Sequence, residues 1–141
     1  MFDVFLAQAN LPAIVLSALA YFLLASLWYS VLFGEVWTKG LAAQGITLKE
    51  PTKRELVQKL ILTFLANLLA SFGMAYLIYW TGSYRLVTGM ALGVASGICF
   101  GATGIGVAYV WEGRPVKLFF VDAGYHLVGL TVAGIILSVW K

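Results

Sequence analysis

Four apolar stretches, each of more than twenty residues, take up most of this chain: Leu11 to Phe33, Leu56 to Trp80, Leu86 to Trp111 and Leu118 to Trp140. A helix rises about 1.5 Å per residue, so about twenty apolar residues cross a hydrocarbon core of roughly 30 Å. Backbone groups inside that core must be paired within the segment, and helices achieve this without a partner strand. With 62% hydrophobic and 11% charged residues, too few polar side chains remain to cover a soluble globule. The expected fold is all-α, an integral membrane four-helix bundle, with residues 1–141 forming one transmembrane domain.

Helix punctuation supports the ends of these segments. Asn10 is placed to cap the first helix, with Pro12 tolerated in its first turn. Thr52 and Glu55 have capping-box spacing just after Pro51, Gly82 suits the end of the second helix, and Ser83 is placed to cap the third. Gly113 interrupts the third stretch, and Pro115 suits the first turn of the fourth. Trp37, Trp80, Trp111 and Trp140 fall at or just past predicted ends, where amphipathic rings favour the headgroup layer. The first stretch is too long for a signal-peptide core, and residues 1–10 carry no Lys or Arg, so it is expected to be a retained span.

Charge sets the expected orientation. Lys39, Lys49, Lys53, Arg54 and Lys59 flank the first connection, and Arg114 and Lys117 the last; only Arg85 and Lys141 lie on the other side. That asymmetry places both basic loops in the cytoplasm and both the N and C termini outside, in a cell membrane, most simply a bacterial inner membrane. The net charge of +3 reflects topology, and nucleic acid is not an expected partner. Within residues 34 to 55, Val36, Trp37, Gly40 and Leu41 recur at helical spacing. They predict a short interfacial helix over 35–44, either a gate or a surface anchor.

The third stretch has its own rhythm. Gly89, Gly93, Gly97 and Gly101 recur every four residues, a small-residue stripe of the kind that lets two helices approach closely. Its partner is either another span of the chain or a second copy. A phosphate-binding role is excluded, because the run opens no strand-to-helix turn.

Asp122 and His126 stand one turn apart in the fourth stretch, well inside the expected membrane. Titratable groups there are costly and tend to mark proton relays, ion paths or a polar bundle interior. Converting residue number into depth puts Asp122 level with Tyr29, Ser30 and Thr63, and His126 level with Ser26, Asn67 and Thr103. Tyr125 lies beside them, with Glu112 and Arg114 at the mouth. The outer half of the bundle is almost wholly apolar, so these residues suggest a polar pocket open to the cytoplasm. A carboxylate beside an imidazole is expected to fix its tautomer. The same residues also suit interhelical hydrogen-bonding glue, at about 0.6 to 2 kcal/mol per contact.

Other chemistry is poorly served. One His and one Cys give no metal-ligand spacing, and Cys99 lies among apolar neighbours where a small inert residue is expected. No cofactor is expected, and no nucleophilic serine motif supports an enzyme. The run Leu27-Trp28-Tyr29-Ser30-Val31-Leu32-Phe33-Gly34 with Trp37, followed by Glu112-Gly113-Arg114-Pro115, Leu118-Phe119 and Asp122-Ala123-Gly124-Tyr125-His126, resembles the DUF1761 family of small, mostly bacterial membrane proteins. The resemblance spans nearly the whole chain and implies a four-span fold, with no activity attached. Three functional readings follow. The first is a small transporter or channel unit, expected to be a homo-oligomer surrounded by membrane lipid. An accessory protein packed beside a larger membrane complex through the glycine stripe comes second, and a lipid-active enzyme third.

Overall fold

The computed structural model describes residues 1–140, and among them every regular element is helical. Four helices are long and apolar enough to cross a membrane: Leu11–Leu32, Lys53–Thr81, Leu86–Glu112 and Val116–Val139, here the first to fourth spans. Lys141, counted above on the outer side, lies outside the described residues.

The span ends follow local backbone chemistry. Asn10 accepts from the Ala13 N–H at 3.0 Å, and Thr52 and Glu55 cap each other reciprocally at the start of the second span. Gly82 and Gly113 take left-handed φ values of 65° and 63°, which a side chain would resist. In both cases the next N–H reaches back to the last turn, Ser83 to the Ile78 carbonyl at 3.0 Å and Arg114 to the Tyr109 carbonyl at 3.1 Å. This is the Schellman closure of a helix end. Ser83 does not cap the third span. The N-cap position falls two residues later, on Arg85, whose N–H donates to Thr88 Oγ1 at 3.3 Å, while the Ser83 hydroxyl pairs with Thr81. Pro115 stands immediately before the fourth span.

Two short helices flank the first span. The amino-terminal helix, Phe2–Gln8, has no counterpart in the sequence reading; its Phe5 is buried against the rings of Phe72, Tyr76 and Tyr79. The connecting helix, Gly34–Ala42, lies across the start of the fourth span. Leu41 is buried with Leu118 and Tyr109, and Trp37 packs beside them.

The bundle is not a square of four equal helices. The fourth span occupies the centre and touches the other three, the first and second spans pack on each other, and the third rests almost entirely on the fourth. A core of Ala13, Ile14, Met74, Ile78, Ala133 and Leu137 joins the first, second and fourth spans towards one end. Outward, large apolar side chains such as Leu69, Phe100 and Val110 are bare, at 72%, 72% and 80% exposure. A soluble monomer does not sustain such a surface, whereas hydrocarbon covers it without cost.

Contact between the third and fourth spans is backbone to backbone. A Cβ placed on Gly93 would lie 2.5 Å from the Leu130 carbonyl oxygen, and one on Gly97 would lie 2.7 Å from Leu127 Cα. Gly89 and Gly134 face each other in the same way. Gly101, one turn on, sits against His126 Cβ, and Ile105 and Tyr109 continue the row towards Leu118. A row repeating every four residues drifts about 40° per step around a regular α-helix. The third span absorbs part of that drift in a π-helical segment over Gly97–Ala102, whose extra residue turns the following row back towards the fourth span.

Candidate functional site

A second π-helical segment, Leu27–Leu32, begins the site on the first span. In a regular helix, adjacent residues point about 100° apart, so only one of a neighbouring pair meets a given helix squarely. Here Trp28 and Tyr29 both reach the fourth span. The Trp28 indole N–H donates to the Val121 carbonyl at 2.9 Å, and the Tyr29 hydroxyl donates to Asp122 Oδ1 at 2.8 Å. The indole rests on Gly124, where a Cβ would stand 3.0 Å from the ring.

Asp122 receives a second donor from the third span. The Tyr109 hydroxyl bonds Oδ2, so each carboxylate oxygen accepts from a different tyrosine on a different helix. Such a pattern suits an acceptor-only, ionised group. Tyr109 is held from behind by Phe119, and above it the Schellman turn at Gly113 folds Arg114 back over the helix end. The guanidinium carbon lies 5.4 Å from the centre of the Tyr109 ring, within cation–π range, and the same guanidinium pairs with Glu112.

His126 has a different partner from the one its spacing suggests. Its Nδ1 lies 2.7 Å from the Tyr21 hydroxyl, and no hydrogen bond joins it to Asp122 among the described residues. Tyr21, not Asp122, therefore orients the imidazole. The Tyr21 ring packs against Gly129, in space that a Cβ would fill. Tyr125 packs its ring against Tyr21, Tyr29 and His126, at centroid separations of 5.1, 5.5 and 4.8 Å. Its hydroxyl accepts from the Asn67 side-chain amide at 3.0 Å, tying in the second span. Asn67 and Tyr125 are buried, while Asp122 and His126 are half-buried and border an open recess. That recess has a volume of about 380 Å³ and is walled by Tyr29, Trp37, Tyr109, Asp122 and His126, with Glu112 and Arg114 at its rim.

Of the residues named from depth, Tyr29, Asn67, Asp122, Tyr125 and His126 thus meet. Ser26, Ser30, Thr63 and Thr103 do not join them. Ser30, Thr63 and Thr103 spend their hydroxyls on carbonyls one turn back in their own helices, those of Ser26, Lys59 and Cys99. Depth fixes a residue's level but not its bearing, and short hydroxyl side chains find a local acceptor wherever they point. Tyr21, Trp28, Trp37 and Tyr109 join the cluster without having been expected there, Trp37 having been expected at the headgroup layer. Tyr109 carried a usable signal, since it lies one turn inside the third span, level with Asp122. Tyr21 sits a turn deeper than the histidine it contacts and is found only if the reach of a phenol is allowed for.

A family model described as "Protein of unknown function (DUF1761)" matches residues 12–138, which include every residue of this cluster. The chain belongs to the DUF1761 family. No curated protein and no solved structure matches this DUF1761 chain.

Proposed function

We propose that this DUF1761 protein is a small transporter or channel unit of the cell membrane, with its recess open to the cytoplasm. The observation that carries this reading is the Asp122 carboxylate, held by tyrosines from two helices and bordering a recess within the span region. An ionisable group at such a depth is expensive unless it is used, and glue alone does not call for an adjoining recess. The orientation is supported by the basic residues Lys39, Lys49, Lys53, Arg54, Arg114 and Lys117, which flank the connections at the recess end. The working unit is a homo-oligomer on this reading. The fourth span fills the axis of a single bundle, so a path must run between copies or open by rocking one helix group against another. The accessory reading rested on a glycine stripe free to meet a partner. Gly89, Gly93 and Gly97 are instead engaged by the fourth span, which leaves transport the better supported.

The test is flux in liposomes. Purified protein with a pH-sensitive dye inside the vesicles is expected to relax an imposed pH or cation gradient faster than empty vesicles do. Asp122→Asn and His126→Ala should slow that relaxation about tenfold or more, the scale of losing one charge-assisted contact. Equal flux through both variants and the parent chain would remove the proposed role.

A further inference from the structure

We propose that the recess binds a small organic cation of the quaternary ammonium type, with Asp122 supplying the counter-charge and the rings of Tyr29, Trp37 and Tyr109 the walls. The inference deepens the reading above and rests on it for the site, though not for the flux. Four features of the recess point to this chemistry.

First, its charge is one-sided. Arg114 at the rim is paired with Glu112, and His126 is engaged by Tyr21, so the formal charge left facing the recess is that of Asp122. Second, that carboxylate has few lone pairs to spare. Each oxygen already accepts from a tyrosine, which leaves about one lone-pair site apiece, against the three donors of a primary ammonium or the four or more ligands of a metal ion. Moreover, no cluster of three His, Cys, Asp or Glu suited to a metal exists among the described residues. A quaternary ammonium has no hydrogen to donate, is weakly hydrated, and is recognised through aromatic faces and a nearby charge.

Third, the walls are aromatic and arranged at an angle. The rings of Tyr29 and Trp37 meet edge to face at 5.3 Å between centroids, and Tyr109 of the third span also lines the recess. Fourth, the Tyr109 ring already attracts a cation: the Arg114 guanidinium lies over it, a tethered contact of the proposed kind that a ligand would share or compete with, while among the described residues the Tyr29 and Trp37 rings carry no such cation. A volume of about 380 Å³ falls at the small end of ordinary ligand pockets, which span roughly 300–1,000 Å³.

The experiment uses the full chain in detergent and calorimetric titration with choline, compared with 3,3-dimethylbutan-1-ol, which has the same shape without the charge. Choline is expected to bind at least about tenfold more tightly than the alcohol. Asp122→Asn should abolish that preference. Trp37→Leu should weaken choline while Trp37→Phe retains it, and Arg114→Gln should leave choline binding intact or strengthen it by freeing the Tyr109 face. Equal affinity for choline and the alcohol overturns the inference, as does loss of choline binding in Arg114→Gln, which would place the determinant on Arg114 and not on Asp122 and the rings. If Asp122→Asn does not give monodisperse protein, the choline-to-alcohol ratio and the two Trp37 variants decide the matter. Choline binding without any flux removes the transport reading alone, whereas Asp122-dependent proton flux without choline binding removes this inference alone.

Discussion

Gly124 and Gly129 do the same work at two depths: each leaves a hollow on the fourth span into which an aromatic ring of the first span fits, Trp28 in one case and Tyr21 in the other. Gly129→Ala should expel the Tyr21 ring and separate its hydroxyl from His126. Overpacking of this kind costs about 1–3 kcal/mol, to be seen as a lower melting temperature in detergent, and an unchanged melt would show that the ring has another place to go. Tyr29→Phe and Tyr109→Phe each leave Asp122 with one donor. Each is expected to cost about 0.6–2 kcal/mol, and the double variant more than the sum, because the second removal strands the carboxylate. A double-mutant cycle by thermal unfolding checks this. Asp122 and His126 were legible in the sequence because a charge inside an apolar run has no ordinary explanation. Their partners were harder to read, since a tyrosine in a span also passes for a packing or interface residue.

At the level of elements, the connecting helix forms a roof. Gly40 meets the Leu118 side chain so closely that a Cβ would stand 2.6 Å from Leu118 Cδ2, and Leu41 is buried beside it. Gly40→Val should therefore lift the helix. With Cys99 replaced by Ala and Leu41 by Cys, a water-soluble maleimide should label the chain slowly when Gly40 is present and at least about tenfold faster in Gly40→Val, the ratio expected once about 1.4 kcal/mol of packing is lost. Equal rates would mean the roof is already loose. The span ends were readable because Asn10, Thr52, Gly82 and Gly113 have backbone requirements written into their side chains, or into the lack of one. The two π-helical segments were not read, although a trace of one lay in plain view. Gly89, Gly93, Gly97, Gly101, Ile105 and Tyr109 repeat every four residues, and no regular α-helix keeps such a row facing one neighbour over that length.

For the whole molecule, the decisive feature is that three helices gather on one. Gly97→Leu places a branched side chain where the Leu127 backbone lies, so it should part the third span from the fourth and lower both the yield and the monodispersity of the purified protein. Normal yield and an unchanged elution profile would show that the two helices can separate and still hold. Four spans were legible from hydropathy alone, but their arrangement was not. Similar apolar faces give no instruction about which helix goes to the middle; that depends on where Gly124, Gly129 and Gly134 leave the backbone bare.

The helix at the middle also follows, in chain order, the three that gather on it. Until it leaves the ribosome, the third span has almost nothing to rest on, and Tyr21, Tyr29, Tyr109 and Asn67 have no counterparts in the membrane. A chain interrupted before Val116 would consequently present unpaired polar groups and bare glycine backbone to lipid. The site is thus assembled only once Val116–Val139 has taken its place among the other three spans.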